Sequence, residues 1–441
     1  MAKKFFIKTY GCQMNVHDSE YMAALLKGVG YIPTTSKEEA DIILLNTCTV
    51  RKKPEQKAYS FLGRLKYQKR HRPLIIGVGG CLAQQQGELL LKRMPHIDFV
   101  FGTHQIYRLP EIIRKLNKNK KGKICETNFS YQLEPPKGVI PTFNKFRAYI
   151  TIMQGCNNFC TYCIVPYVRG REISRRSESI LEEAKRLLDM GVKEIILLGQ
   201  NVNSYGKDRK EEISFAELIR KVGNLPKLRR LRFLTSHPKD LTLDLIKTFK
   251  EVETLCEQIH LPVQCGSNRI LKKMNRRYSR EDYLKKIEML RKVCPEIAIT
   301  TDIIVGFPGE TEKDFKQTIS LLQEVSFDDI FAFKYSDRPP AKAVGFKEKV
   351  SEEIKAERLA AVHEVQAPIT KAKNREKVGQ RLEVLLDDYS KRGEMGLSGR
   401  TRCNRVVNVR AEASLLGHLV EVEIDEALSH SLRGRIIKVL D

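Results

Sequence analysis

Three times within the first 81 residues, an apolar run of strand length ends on a cysteine. Residues 3–10 lead into Gly11-Cys12, residues 41–46 into Thr47-Cys48, and residues 74–78 into Gly79-Gly80-Cys81. Residues 19–29 carry apolar side chains at helical spacing between the first two runs. The thiols are 36 and 33 residues apart, one strand–helix unit each. Strands alternating with helices predict a parallel sheet, and sites in such sheets form outside the carboxyl ends of the strands. Three thiols in one structural slot converge on one edge, so a metal site is predicted there. Gly77-Val78-Gly79 invites a dinucleotide reading, but Leu82 occupies the third glycine position and no acidic ribose partner follows.

The alternation resumes at Phe146. Six strand candidates (147–153, 194–198, 231–234, 258–261, 297–304 and 330–335) are separated by helical patterns at 180–190, 215–222, 243–249, 281–293 and 313–324, and a charged helix at about 352–373 closes the unit. Six βα units make a partial barrel, short of the closed eight. Residues 119–141, beside Lys118 and holding Lys120, Lys121, Lys123, Pro135-Pro136 and Gly138, read as a linker. Short β segments at 383–386, 396–399, 406–409, 419–424 and 434–439 predict a small five-stranded barrel of the oligonucleotide-binding type. The expected class is therefore α/β: a parallel sheet domain over 3–118, a partial (β/α)6 barrel over 142–373, and an all-β barrel over 375–440.

With 78 basic and 54 acidic residues the chain carries a formal +24, which points to a polyanionic partner. Only +1 of it lies in residues 375–441. Nine basic residues and one acid, Glu55, fall between Arg51 and Pro73. Further clusters are Lys227, Arg229, Arg230 and Arg232, and Arg269, Lys272, Lys273, Arg276, Arg277 and Arg280. Within the small barrel, Arg400, Arg402, Arg405 and Arg410 form a basic stripe. No apolar run approaches the ~18 residues of a membrane span and no secretory leader is evident, so a cytoplasmic chain with no membrane partner is expected. Eleven cysteines without a secretory signal argue for ligand chemistry over disulfides. Cys125, Cys256, Cys294 and Cys403 are scattered and read as structural.

The sharpest motif is Cys156-Asn157-Asn158-Phe159-Cys160-Thr161-Tyr162-Cys163, directly after the first barrel strand. Three thiolates on one tight loop do not make a closed zinc site, which takes four ligands. A cubane iron–sulfur cluster held by three cysteines keeps one iron open, and the amine and carboxylate of a methionine-like molecule fit that corner. Phe159 and Tyr162 would shield the cluster or stack on adenine. His237 reads either as a cofactor contact or as a turn residue, and Asp302 and Glu310 as loop acids. The alternative class is a non-enzymatic RNA-binding protein with structural metal sites.

This loop resembles the signature of the radical S-adenosylmethionine enzymes, and the likeness covers essentially the whole chain. Thr9-Tyr10-Gly11-Cys12-Gln13-Met14-Asn15, Asn46-Thr47-Cys48 and Gly79-Gly80-Cys81 resemble the amino-terminal domain of the radical methylthiotransferases. Leu197-Leu198-Gly199-Gln200-Asn201-Val202-Asn203, Thr235-Ser236-His237-Pro238 and Ile304-Val305-Gly306-Phe307-Pro308-Gly309-Glu310 are similar to that family's core. Leu397-Ser398-Gly399-Arg400-Thr401 and Ser431-Leu432-Arg433-Gly434 are similar to its TRAM domain. The resemblance implies a radical 4Fe-4S cluster on Cys156, Cys160 and Cys163 and an auxiliary 4Fe-4S cluster on Cys12, Cys48 and Cys81. It implies S-adenosyl-L-methionine as methyl donor and radical source, near Tyr162, Gln200, Asn201 and Gln264. It implies RNA contacts at Arg400, Arg402, Arg405 and Arg433, with no acid–base catalytic residue. The implied partners are a tRNA anticodon loop and a one-electron donor such as flavodoxin or ferredoxin, with the enzyme a monomer. Gln13-Met14-Asn15 resembles the branch that acts on prenylated adenosine at tRNA position 37; sister branches act on threonylcarbamoyladenosine or on a ribosomal-protein aspartate. Two positions depart from the pattern: Cys265 follows Leu261-Pro262-Val263-Gln264 where the family has serine, and Arg338-Pro339-Pro340-Ala341 replaces Arg-Pro-Gly-Thr.

Overall fold

The computed structural model describes residues 2–49, 52–118, 122–130, 133–136, 138–139, 141, 144–390 and 396–441, with 52–54 as backbone only. Arg51, Lys120 and Lys121 lie outside the described residues.

Strands β1 (Lys4–Tyr10), β2 (Ile32–Pro33), β3 (Ile42–Thr47), β4 (Ile75–Gly80), β5 (Phe99–Phe101) and β6 (Ile124–Glu126) form a wholly parallel sheet in the order β2-β1-β3-β4-β5-β6. Along β3, Ile42 and Leu44 enter one apolar cluster and Ile43 and Leu45 another, as in a strand covered on both faces. The Gly77 and Gly79 pair serves this packing and no dinucleotide: a Cβ on Gly77 would run into the Phe99 ring, and one on Gly79 into that of Phe101. Strand β6 comes from the stretch read as linker and supplies the sheet's sixth strand. The first helix, Gln13–Gly28, starts six residues earlier than its apolar spacing suggests. Asn15 Oδ1 accepts from the Cys12 backbone N–H (3.3 Å), and Asn15, His17, Asp18, Ser19 and Glu20 are all buried, so no polar face marks the first turns.

All six expected barrel strands are present within two residues. Strands β7 (Arg147–Thr151), β10 (Glu194–Leu198) and β11 (Arg230–Phe233) form one parallel sheet, and β12 (Gln258–His260), β13 (Ala298–Val305) and β14 (Asp329–Lys334) a second. A bridge between Leu231 and Leu255 links the two. Two short strands, β8 (Met153–Gln154) and β9 (Ile173–Ser174), pair across the cysteine loop. Helices Ser177–Asp189, Phe215–Gly223, Leu243–Glu251, Arg280–Val293, Glu312–Val325 and Glu352–Arg375 lie where helical patterns were read. Strands β15 (Arg381–Tyr389), β16 (Leu397–Thr401), β17 (Val406–Val409), β18 (Leu419–Ala427) and β19 (Leu432–Val439) close into a barrel in the order β15-β16-β17-β19-β18.

Arginines hold this small barrel to the larger one, which corrects the reading of two basic clusters. Arg230, fully buried, donates to Glu383 (2.8 Å) and to the Arg400 carbonyl (2.6 Å). Arg232 donates to Glu194 (3.0 Å) and to the carbonyls of Arg402 (2.6 Å) and Thr401 (2.7 Å). In return Arg402 pairs with Glu257 and Arg405 with Asp328, both at 2.7 Å. The Arg400 guanidinium is half-buried and donates to Asn404 within its own barrel. Of the arginines read as an RNA stripe, Arg402 and Arg405 thus engage carboxylates of the larger barrel and Arg400 engages Asn404 of its own. Arg433 stays at the surface, paired with Glu426 at 2.9 Å.

Breaking a buried ion pair from one side leaves an uncompensated charge. Arg232→Ala removes the nearest cation from Glu194, whose side chain is 2% exposed, and leaves it Arg230 at 3.9 Å, so the cost in guanidinium unfolding is expected at the lower end, about 3 kcal/mol. Lys227→Ala, which breaks an exposed pair with Asp189, should move stability by less than about 1 kcal/mol.

Candidate active site

The register of the N-terminal sheet aligns the first three thiols. Tyr10 pairs with Thr47 and Thr47 with Gly80, so Cys48 and Cys81 each follow the same row and Cys12 stands two residues past it. Polar ties fix these loops. Asn46 Nδ2 donates to the Asn15 carbonyl (2.8 Å), Asn15 Nδ2 to Asn46 Oδ1 (3.1 Å), and Thr47 Oγ1 to the Gly79 carbonyl (3.0 Å). Gly80, at φ +89°, leaves no room for a Cβ against Asn46 and the Thr47 backbone. Cys48 and Cys81 are buried and Cys12 is exposed.

The second group sits on the loop between β8 and β9. Gly155 N–H donates to Gln200 Oε1 (2.6 Å), Cys156 N–H to the Gly170 carbonyl (3.2 Å), and Val165 N–H to Cys163 Sγ (3.4 Å). Arg276, grouped from sequence with surface cations, is only 4% exposed. Its guanidinium donates to Cys160 Sγ (3.4 Å), Tyr162 Oη (3.3 Å) and the Pro262 carbonyl (2.6 Å). Burial pushes the Cys156 thiol up to about 11 and Cys163 higher still. Among the described residues no three Cys, His, Asp or Glu side chains stand close enough together to hold a single metal ion. Three soft donors on one loop, with a buried guanidinium to offset their charge, fit a group that takes three thiolates and keeps a position open.

A cavity of about 1000 Å³ opens from this loop. Cys156, Cys160 and Cys163 line one side, and Tyr10 and Gly11, next to Cys12, line another. Tyr162, Gln200 and Gln264 also line it. Asn201 does not: it is buried behind the wall, its amide donating to Asp240 (2.8 Å). Phe159 points outward beneath Arg171. His237 caps a turn and also lines the cavity. Its Nδ1 accepts from the Lys239 N–H (3.1 Å), so Nε2 carries the proton. That Nε2 and the neighbouring Ser236 Oγ are buried without a partner in two residues that line the cavity. Burial first, then Arg276 and Lys239, hold the ring neutral by driving its pKa far down. Thr235 (φ +70°) and Gln264 (φ +77°) sit in left-handed backbone on the same wall, conformations that persist only where the surroundings impose them. Asp302 lines the cavity from within β13, while Glu310 is buried against Arg358 (2.7 Å). Cys265 lies in a separate apolar cluster with Ile270, Leu271 and Phe307, clear of the cavity lining.

Cys81 joins the N-terminal cysteine loops to the segment that follows Cys163. Cys81 packs with Ile164 and Val168, just past Cys163. The turn after Val168 is clasped by the N-terminal domain: Thr103 Oγ1 donates to the Val168 carbonyl (2.7 Å) and His104 Nε2 to that of Arg169 (2.9 Å). Arg169 then pairs with Asp18 at 2.6 Å, both buried. Burial raises the Cys81 thiol while the Arg169 guanidinium beside it pulls the other way. Across the cavity Arg338 pairs with Glu55 (3.4 Å) and Gln85 donates to the Pro339 carbonyl (2.8 Å). The departing Arg338-Pro339-Pro340-Ala341 segment is thus a second domain contact.

Residues 4–102 match Uncharacterized protein family UPF0004, residues 150–322 the Radical SAM superfamily, and residues 375–437 the TRAM domain. Over 99% of its length the chain is 51% identical to the tRNA-2-methylthio-N(6)-dimethylallyladenosine synthase of Syntrophus aciditrophicus (strain SB), covering 95% of that protein. This chain belongs to that synthase family. The synthase of Geotalea uraniireducens (strain Rf4) is 49% identical over 99% of both chains. Among solved structures, the radical S-adenosylmethionine methyltransferase TsrM from Kitasatospora setae is similar at TM-score 0.55 and 12% identity, over 76% of this chain and 72% of that one, a likeness of fold. Membership of the synthase family brings S-adenosylmethionine and a 4Fe-4S cluster to this site.

One acid in this synthase-family chain stands apart. Burial, then Asp240 and Asp208, push the Glu172 carboxyl up to about 7 against a hydrogen bond from Ser204. The native state therefore binds an extra proton between about pH 5 and about pH 7, and stability falls as pH rises through that window. Glu172→Gln should flatten this part of the profile in urea titrations; an unchanged slope would refute the assignment.

Proposed function

We propose that this chain places a methylthio group on carbon 2 of N6-dimethylallyladenosine at position 37 of tRNA. The observation that carries the reading is the junction: Cys81 packs on Ile164 and Val168, and one cavity runs from Cys156, Cys160 and Cys163 to Gly11 beside Cys12. In this reading Cys156, Cys160 and Cys163 hold one 4Fe-4S cluster and Cys12, Cys48 and Cys81 a second. When bound, the clusters and two S-adenosyl-L-methionine molecules supply a radical able to activate a purine C–H bond and a methylated sulfur to replace the hydrogen.

An aromatic C–H carbon offers no acidic proton and no leaving group, so no side chain here is assigned an acid or base role. The chain's own work is to bind, orient and exclude water. Arg276 offsets the charge of the thiolate loop. Tyr162, Gln200, Gln264 and the unpartnered donors of Ser236 and His237 are the contacts assigned to S-adenosylmethionine. Asn201 supports them through Asp240. The Arg169 turn holds the two cysteine groups in register. The adenine leaves its stack to enter, at a cost of a few kcal/mol. A one-electron donor of the flavodoxin or ferredoxin class serves the site, and the chain acts as a cytoplasmic monomer. Among the described residues no helix is long and apolar enough to cross a membrane.

Nucleoside mass spectrometry after anaerobic turnover tests the reaction, with two tRNAs bearing prenylated or threonylcarbamoylated adenosine beside the anticodon. The 2-methylthio product is expected on the prenylated tRNA alone; product only on the other tRNA would move the chain to the sister branch. Iron analysis tests the ligands: about eight irons in the reconstituted protein, and about four after Ala replaces either cysteine triad. Loss of all iron on changing only Cys156, Cys160 and Cys163 would contradict two independent sites.

A further inference from the structure

We infer that the outer face of helix Lys52–His71 is the phosphate track for the RNA strand whose base enters the cavity. The inference rests on the reading that the substrate is tRNA. It concerns which surface of the chain binds the backbone.

The helix turns Ala58, Phe61, Leu62 and Leu65 inward, all 5% exposed or less. On the other side Lys57, Arg64, Lys66 and Arg70 are exposed. Among the described residues none of these four has an ion pair or a side-chain hydrogen bond. Their neighbours differ: Lys69 is held by Asp98, and Arg72 donates to the Lys37 carbonyl (3.0 Å). The one acid of the segment, Glu55, is paired with Arg338 (3.4 Å). The helix thus presents cations that the fold does not use.

Their placement suits a nucleic acid strand. Lys57, Arg64 and His71 recur every seven residues, so they fall on one stripe about 21 Å long. Beside it Tyr67 is 70% exposed, its ring 4.3 Å from that of His71. The two rings are tilted 52° to each other, and an exposed aromatic face among cations is a platform on which single-stranded bases stack while the cations meet their phosphates. Gln56 and Lys57 also line the cavity, so the stripe begins where a base would enter. Arg402 and Arg405 of the small barrel, by contrast, are paired across the interdomain dock. An acidic peptide would match the charge, but it would not need the aromatic pair or the continuity with the cavity.

The test is the triple variant Arg64→Gln, Lys66→Gln, Arg70→Gln in the full chain, which spares every cavity-lining residue. Its affinity for a fluorescent prenylated anticodon stem-loop RNA is measured across a salt series. Binding should weaken about 10- to 100-fold at moderate salt, and the slope of log Kd against log salt should become shallower by about two to three. Circular dichroism and the melting temperature should change little, since the three side chains are exposed and, among the described residues, make no ion pair or side-chain hydrogen bond. The control variant Lys313→Gln, Lys316→Gln alters exposed cations on another helix and should shift affinity by less than about threefold. Unchanged affinity and slope in the triple variant would overturn the inference, as would an equal loss in the control, which would mean bulk charge alone. A flat salt response in wild-type protein would also overturn it, whereas wild-type protein that does not bind this RNA at all would instead sink the tRNA reading itself.

Discussion

The Arg169–Asp18 ion pair joins the domain of Cys12, Cys48 and Cys81 to the loop of Cys156, Cys160 and Cys163. A buried pair of this kind adds little net stability, because desolvation offsets most of the attraction. Its value lies in register. Arg169 stands at the end of the turn that follows Cys163, and Asp18 on the helix that begins at Cys12. Pairing them, with Thr103 and His104 holding the intervening carbonyls, sets Cys81 against Ile164 and Val168. Arg338 with Glu55 and Gln85 with the Pro339 carbonyl tie the same two domains together at a second point. The polar residues buried around the Arg169–Asp18 pair explain the run Asn15, His17, Asp18, Ser19 and Glu20, which an isolated helix would expose.

Positive charge follows the same logic of assignment. A formal +24 suggests a uniformly basic surface, yet much of it is internal. Arg175 pairs with Glu183 in the core, Arg276 reaches a cysteine, and Arg230, Arg232, Arg402 and Arg405 fasten the small barrel. Arginine suits these places because its planar fork meets carboxylates and carbonyls while staying charged when buried. Lysines dominate the exposed faces. The small barrel is thus held rigidly on the core, which fixes the distance between any RNA it touches and the cavity.

The parts of the fold legible in the sequence are those whose signal is local. The six barrel strands show as apolar runs between helical patterns. The cysteines show because each recurs in the same slot, and the register Tyr10–Thr47–Gly80 is the physical form of that repetition. Strands β2, β5 and β6, of two or three residues, are too short for any periodicity to register. The start of helix Gln13–Gly28 is hidden because its buried face is polar. Residue roles set by distant partners were equally hidden: Arg276 and Cys160 are 116 positions apart, and Arg402 finds Glu257 across 145. Charge is written in the sequence, but the partner that cancels it is not. His237 is the intermediate case, since its turn was readable while its unpartnered Nε2 was not.

Under the proposed function the two cysteine triads hold neighbouring but separate clusters. Electron paramagnetic resonance of the fully reduced, reconstituted protein tests this most directly. Two clusters set against each other across the Cys81–Ile164 contact should show magnetic coupling, as splitting or accelerated relaxation absent from either single-triad variant. A spectrum equal to the sum of the two single-site spectra would contradict the account, because it would place the centres too far apart to share a substrate.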